Sequence, residues 1–309
     1  MSENEWLADR FEEHRTHLRA VAYRLLGSLS EADDAVQESW LRVNRAGAGD
    51  VQNLGGWLTT IVARIALNML RSRNVRRELP IAVHLPDPII SLDAELQPED
   101  DAMLADSVGL ALLVVLDSLG PAERLAFVLH DVFRLPFEEI APMVGRTPAA
   151  ARQLASRARR RIEGSEIPSP DPDRSRQRAV VDAFFSAARG GNLDGLLALL
   201  DPEIVLRADF GARHAARSVV VRGAPEVART AILGGALAGA VVTPVLVNGA
   251  AGAVIVVGGR PFAVMGFIVA EGRIVEMDVI ADPQRVRGIA APVLGADTMR
   301  RLRRARSNP

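Results

Sequence analysis

Apolar residues recur at helical spacing through the first quarter of the chain. Phe11, Leu18, Val21, Ala22, Leu25 and Leu26 form one stripe, and Ala35, Val36, Trp40, Leu41 and Val43 form a second. Trp57, Leu58, Ile61, Val62, Ile65 and Leu67 to Leu70 form a third, which ends in arginines. Three helices are predicted, the second opening at Ser30, with Asp33 three positions on as the mark of a capped start. The third runs from Leu54 to Arg77. Pro80, Pro86, Pro88 and Pro98, with the acids Asp93, Glu95, Glu99, Asp100 and Asp101, then interrupt the pattern as a linker. Helical spacing returns from Met103 to Gly164 and stops at Pro168-Ser169-Pro170-Asp171-Pro172, a stiff extended spacer.

Beyond Ser175 the period changes. Helices are expected over Gln177 to Ala188, Leu193 to Leu200 and Pro225 to Leu233. Short β-branched runs follow at Val241 to Val247, Val254 to Val257, Phe262 to Val269 and Ile274 to Ile280, spaced like an antiparallel meander. Helices before strands indicate an α+β domain. The chain is therefore expected to be multidomain: an all-α block at 1–78, an acidic Pro-rich linker at 79–102, a second all-α block at 103–165, a Pro-rich spacer at 166–174, an α+β domain at 175–290 and an Arg-rich tail at 291–309, disordered from Thr298 to Pro309.

The segment between Arg229 and Arg260 carries no charge and is long enough to span a bilayer. Gly234-Gly235, Gly239, Pro244, Asn248-Gly249, Gly252 and Gly258-Gly259 punctuate it as strands and turns instead, so no membrane contact is expected. The N-terminus is acidic and lacks the basic and apolar regions of a signal peptide, which makes the cytoplasm the expected location. Zero Cys excludes a disulfide scaffold, a thiol nucleophile and Cys-based zinc motifs.

Charge sharpens the picture. The formal net charge is −1 and every basic residue is Arg. Through Ile167 there are 19 Arg against 25 acids, and beyond it 18 Arg against 13 acids. A nucleic-acid site must then be a local patch, since the whole-chain charge does not attract a polyanion. One such patch lies between Leu135 and Arg161. A helix ends near Val144, Gly145 supplies the turn, Thr147 is a good N-cap with Pro148 at the first helical position, and a second helix follows. This is a helix-turn-helix whose first helix, containing Pro142, is expected to be short or kinked. Its second helix carries Arg152, Gln153, Ser156 and Arg157, which can bond base edges, while Arg159, Arg160 and Arg161 suit phosphates. Arg71, Arg73, Arg76 and Arg77 form a second basic cluster, which equally complements a helix dipole. Glu31, Asp33, Asp34 and Glu38 around Val36 and Trp40 offer a charged protein contact rather than a metal cluster.

In this order these features resemble a known family. Ala22-Tyr23-Arg24-Leu25-Leu26-Gly27-Ser28 and the stretch Ala32-Asp33-Asp34-Ala35-Val36-Gln37-Glu38-Ser39-Trp40-Leu41-Arg42 are similar to region 2 of extracytoplasmic-function (ECF) sigma factors. Trp57-Leu58-Thr59-Thr60-Ile61-Val62-Ala63-Arg64 and the Arg-rich end after it resemble the segment with which those proteins melt and read the minus-ten element. The helix-turn-helix falls where region 4, the minus-thirty-five reader, belongs. The resemblance implies partners and roles. Asp33, Asp34, Gln37, Glu38 and Trp40 would meet the clamp helices of the RNA polymerase core's largest subunit. Trp57, Arg64, Asn68, Arg71, Arg73, Arg76 and Arg77 would bind the opened minus-ten promoter DNA, with a pocket for a flipped base. Thr147, Arg152, Gln153, Ser156, Arg157, Arg159 and Arg160 would hold the minus-thirty-five duplex. Polymerase supplies the chemistry, so no catalytic residue, metal or cofactor is expected.

The third domain narrows the resemblance to the sigma-J type. Phe184-Phe185-Ser186-Ala187-Ala188-Arg189-Gly190-Gly191-Asn192-Leu193-Asp194-Gly195-Leu196-Leu197-Ala198-Leu199-Leu200-Asp201-Pro202 resembles the opening of a SnoaL-like, NTF2-fold domain. Leu85-Pro86-Asp87-Pro88 resembles the linker signature of such factors, with His84 in place of a Trp, and Asp282-Pro283-Gln284-Arg285-Val286 their closing motif. Their glycine-rich loop corresponds to Asp209-Phe210-Gly211-Ala212-Arg213, with one glycine in place of three. The resemblance implies an NTF2-like cone that contacts the sigma domains and modulates them in cis through Leu85, Pro86, Asp87, Pro88, Asp209, Asp282 and Pro283. Two other readings stay open: a ligand-sensing helix-turn-helix regulator independent of core polymerase, and an isomerase or cyclase fused to a DNA-binding module, with Asp209, His214 and Asp278 as its polar candidates.

Overall fold

The computed structural model describes residues 3–46, 51, 53–76, 83–92, 110–165, 168 and 170–304. The chain divides into two compact units, one formed by residues 1–79 with 98–167 and the other by 80–97 with 168–309. Arg77, the acidic run from Asp93 to Asp101 and the last five residues lie outside the described residues.

The first unit is helical. α1 (Glu3–Leu26), α2 (Leu29–Ala46) and α3 (Leu54–Arg76) pack together, burying Phe11, Leu18, Val21, Leu25, Val36, Leu58, Val62 and Leu67. Gly27, at φ 69°, turns the chain at the end of α1, so α2 starts at once. The Glu31 amide reaches the Ser28 hydroxyl at 3.5 Å, which makes Ser28 and not Ser30 the cap. Ser28-Leu29-Ser30-Glu31 has the serine-to-glutamate spacing of a capping box, a signal as legible as the one at Ser30. α4 (Leu110–Asp117) and α5 (Pro121–Phe127) follow, then a single π-helical turn (Val128–Val132), α6 (Phe137–Val144) and α7 (Pro148–Glu163). The carbonyls left open at the end of α1 are met by arginines from other helices. Arg73 of α3 donates to the Leu26 carbonyl at 3.0 Å, and Arg124 of α5, itself buried and paired with Asp117 at 3.0 Å, donates to the Arg24 carbonyl at 3.3 Å.

The second unit combines helices with one seven-stranded sheet in the order β1-β4-β5-β6-β7-β2-β3. α8 (Arg174–Arg189), α9 (Leu193–Leu199) and α10 (Ala224–Gly235) match the predicted helices, and β4 (Ala240–Val247), β5 (Ala250–Val257), β6 (Arg260–Ala270) and β7 (Arg273–Ile280) form the predicted meander. The uncharged segment thus enters α10, β4 and β5; among the described residues no helix is long and apolar enough to cross a membrane.

Three strands were not foreseen. β2 (Leu200–Asp209) runs parallel to β7, β3 (Val219–Arg222) pairs antiparallel with β2, and β1 (Ile90–Ser91), from the Pro-rich segment, adds to the free edge of β4. Alternation along the strands separates two faces. Leu206, Met277, Phe267, Ala253 and Ile255 pack with Val181, Phe184, Leu196 and Val227 of the helices, while Arg207, Asp209, Glu276 and Asp278 take alternate positions on the opposite face. α11 (Pro283–Arg304) packs against β6 and buries Val286, Ile289, Ala290 and Leu294. It kinks at Gly295 and continues through Arg304, so the stretch from Thr298, expected to be disordered, is helical as far as it is described. Ala, Leu, Met and Arg are strong helix formers, which the run of arginines obscured.

Two glycines at positive φ separate strain from steric conflict. Gly145, at φ 68°, has nothing within 4 Å of a Cβ position, whereas at Gly211, φ 77°, a Cβ would lie 1.9 Å from Oδ2 of Asp282. Gly145→Ala is expected to cost about 1 kcal/mol, the left-handed penalty alone, and Gly211→Ala roughly 2–4 kcal/mol, because Asp282 must also move. Calorimetric unfolding of the two variants checks this, and equal costs would show that the loop yields to a Cβ.

Candidate nucleic-acid interface and linker clasp

Helical spacing places Trp57, Arg64, Asn68 and Arg71 along one side of α3. Arg64, Asn68 and Arg71 are exposed and Trp57 is half-buried, an aromatic beside polar and cationic groups, suited to a stacked base and to phosphates. Arg73 is used differently: it pairs with Glu31 and caps α1, so its guanidinium is engaged inside the helical unit. α3 runs on to Arg76.

On α2, Asp34 and Gln37 are exposed. Asp33 accepts from Arg19 at 2.6 Å and Glu38 pairs with Arg42 at 2.9 Å. Both pairs are largely exposed and weak enough to be exchanged for a partner's cations. Trp40 is half-buried against Phe11, with ring centroids 5.1 Å apart, and stiffens the helix pair that presents these acids.

The helix-turn-helix forms as its residue types require. α6 is only eight residues long around the exposed Pro142, Gly145 adopts the left-handed conformation, and the Thr147 hydroxyl caps α7 by accepting from the Ala150 amide at 3.3 Å. Ala151, Ala155 and Ala158 are buried, which turns Arg152, Gln153, Ser156, Arg157 and Arg160 outward. The side chains of Gln153 and Arg157 have no hydrogen-bond or ion-pair partner among the described residues. Arg159 is held by Asp131 of the π-turn at 2.6 Å. Arg152 lies over Phe137, its Cζ 5.3 Å from the ring centroid, and His130 stacks on the same ring at 3.9 Å. Phe137, first residue of α6, thus positions the first arginine of α7; its cation–π contact holds the guanidinium without using any N–H donor.

The segment Val83 to Leu92 is clasped to the α+β unit at two points. At the first, the Arg285 guanidinium donates to Asp87 at 2.6 Å, to Asp209 at 2.7 Å and to the Leu85 carbonyl. Asp209 also accepts the amides of Leu85 at 3.0 Å and Gly211 at 2.8 Å, and the His84 ring lies 3.5 Å away. Burial alone would raise the Asp209 pKa; the His84, Leu85 and Gly211 hydrogen bonds and the Arg285 charge outweigh it and hold the carboxyl well below the usual range. Asp282 caps α11, accepting the amides of Gln284 and Arg285 at 2.9 Å, and so fixes the helix start that carries Arg285. At the second point, Asn248, at φ 48° in the β4–β5 turn, accepts the Ile89 amide on its side chain at 2.7 Å and donates its own amide to the Ile89 carbonyl at 2.8 Å; Ile90 and Ser91 then pair with Val247 and Leu246. Pro86 and Pro88 are buried between the two points. Arg285 and Asn248 escaped the sequence reading, although Arg285 stands inside the closing motif.

Residues 10–76 match Sigma-70 region 2 and residues 109–162 match Sigma-70, region 4. The probable ECF RNA polymerase sigma factor SigI of Mycobacterium tuberculosis (strain CDC 1551 / Oshkosh) is 39% identical over 233 residues, covering 74% of this chain and 77% of that protein. The chain belongs to the ECF RNA polymerase sigma factors. SigJ of Mycobacterium tuberculosis (strain ATCC 25618 / H37Rv) is 40% identical over 221 residues, 71% of this chain and 70% of that one. The crystal structure of SigJ from Mycobacterium tuberculosis covers 91% of this chain and 98% of its own, at 33% identity and a TM-score of 0.71. The sigma factor thus directs transcription initiation and is not itself an enzyme.

The polar candidates for catalysis in its α+β unit do not form a common site. His214 is exposed in a 3-10 turn. Asp209 belongs to the linker clasp, and Asp278, two rungs away on the same sheet face, shares Arg207 with Glu276. Both acids are buried beside one guanidinium, and the Asp278 carboxyl is pushed up to about 7 by burial first and by the Glu276 charge second, against the pull of Arg207.

The two aspartates therefore have opposite pH signatures. A depressed folded pKa stabilises above the unfolded value of about 3.8 and is lost only as pH falls below it; a raised one leaves the fold progressively less stable as pH rises from about 4 towards 7. In calorimetry of the sigma factor, Asp278→Asn is expected to reduce the loss of stability between pH 5 and 8, and Asp209→Asn to destabilise throughout that range. A wild-type-like slope in Asp278→Asn would show that this carboxyl does not hold the proton.

Proposed function

We propose that the exposed side of α3 binds the opened minus-ten strand, the outward face of α7 reads the minus-thirty-five duplex, and the acidic side of α2 meets the clamp helices of core polymerase. Arg64, Asn68 and Arg71 hold phosphates beside Trp57, with Arg76 and Arg77 extending the basic end. Arg152, Gln153, Ser156 and Arg157 face base edges, with Thr147, Arg159 and Arg160 towards the backbone, and Asp33, Asp34, Gln37 and Glu38 supply the polymerase contact. Arg73 contributes by fixing α1 against α3 rather than by touching DNA. The factor acts in the cytoplasm, where core polymerase works.

The α+β unit modulates this activity in cis through the segment that joins regions 2 and 4. The observation that carries the proposal is the two-point clasp of Val83 to Leu92, in which Arg285, Asp209 and Asn248 satisfy the backbone of a segment lying between the promoter-reading regions. Tethering the middle of the connection limits how far the two regions can separate, and releasing it lengthens their reach.

Run-off transcription with purified core polymerase tests the reading. Promoter-dependent initiation is expected with the full chain and altered initiation after removal of residues 168–309. Duplex binding that needs no core, without initiation, would favour a free-standing regulator. Arg157→Ala is expected to cost about 1–3 kcal/mol at one upstream base pair and little elsewhere; an equal loss on all sequences reassigns it to phosphate.

A further inference from the structure

Arg134 stands three residues before α6 in the left-handed region, at φ 60°. For a residue with a long side chain this backbone is unfavourable, and a glycine would make the same turn without strain. The turn is held from within: the Arg134 amide donates to the His130 carbonyl at 3.1 Å, the Leu135 amide to the Leu129 carbonyl at 2.9 Å, and the His130 ring lies 2.9 Å from the Leu135 carbonyl. None of these bonds uses the guanidinium. That group is exposed and has no hydrogen-bond or ion-pair partner among the described residues.

The turn is also tied to the front of α7. His130 stacks on Phe137, and Phe137 carries Arg152. Arg134 is therefore built onto the stack that presents the first arginine of the reading helix. The N-terminus of α6 is itself a poor place for phosphate, because Glu138 and Glu139 occupy its first turn and are both exposed. The cation that precedes them is Arg134. In helix-turn-helix docking the first helix crosses the sugar-phosphate backbone while the second enters the groove, so a cation just ahead of α6 falls where the backbone passes.

We propose that Arg134 is a phosphate clamp of region 4, a positioning residue that fixes the register of α7 on the upstream duplex by an ionic contact and reads no base. The proposal rests on the assignment of α7 to that duplex. The backbone strain at Arg134 is the stability forgone to place a guanidinium there.

The test uses the full chain assembled with core polymerase and, as probe, a promoter duplex recovered by that holoenzyme from a library randomised upstream of the start site. Arg134→Gly is expected to raise the melting temperature of the full chain, because the strain is relieved. It should also weaken promoter binding about threefold to tenfold near 50 mM salt and make the slope of log affinity against log salt shallower by about 0.9, one phosphate contact. Arg134→Ala should show the same loss of affinity and slope without the gain in stability, Arg134→Lys should keep most of both, and the loss should be uniform across base substitutions in the probe. Unchanged affinity and slope in Arg134→Gly, a loss confined to one base pair, a loss in Arg134→Lys equal to that in Arg134→Gly, or weakened binding to core alone would each overturn the proposal. A wild-type holoenzyme that recovers no duplex at all would instead count against the assignment of α7.

Discussion

One guanidinium ties the linker segment to the second unit. Arg285 meets two carboxylates that lie far apart in sequence, Asp87 before the helix-turn-helix and Asp209 at the end of β2, and also the carbonyl of Leu85. Only a planar group with several fixed donors can do this at once; a lysine ammonium in the same place would be a point charge without the fork. The neighbouring parts are arranged around it. Asp282 caps the helix that carries Arg285, and Gly211 leaves room for Asp282, while its amide completes the coordination of Asp209. Breaking a pair of this kind by removing one partner strands a buried charge, at a cost on the order of 3–5 kcal/mol.

This interaction changes the meaning of the Pro-rich segment. Its prolines and flanking acids describe a spacer, but residues 83–92 belong to the α+β unit, where they supply an edge strand. β1 is only two residues long, so the clasp depends on side chains more than on a hydrogen-bond ladder. One arginine and one asparagine satisfy the segment's backbone, and Val83, Leu85, Ile89 and Ile90 are buried with it.

Periodicity was enough to read the three helices of region 2, the capped helix-turn-helix and the four-stranded meander, because each encodes its own local pattern. β2 was hidden because Asp201-Pro202 reads as a turn and because alternate residues such as Arg207 and Asp209 are polar yet covered. β1 has no local signal, since its pairing exists only when the α+β unit is folded. Residue type does not tell how each of several arginines is engaged. Arg73 caps α1 from inside the helical unit, Arg159 is exposed and paired with Asp131, and Arg157 and Gln153 face outward without a partner among the described residues. Among Asp282, Pro283 and Arg285, the motif drew attention to the cap and missed the cation that the cap positions. The near-zero net charge is a sum of two halves: through Ile167 the acids of α2 and the linker help outnumber the arginines of α3 and α7, 25 to 19, and beyond it arginines outnumber acids, 18 to 13.

Native-state hydrogen exchange of the full-length chain tests the clasp most directly, read at the amides of Leu85 and Ile89. Both bond to side chains of the α+β unit, Asp209 and Asn248, so they are expected to exchange slowly in the wild type. In Arg285→Ala, Leu85 should lose its protection while amides in the interior of β5 and β6 keep theirs. Exchange of Leu85 at the rate of an open chain in the wild-type protein would contradict the account, because the segment between the two promoter-reading regions would then not be held by the sheet.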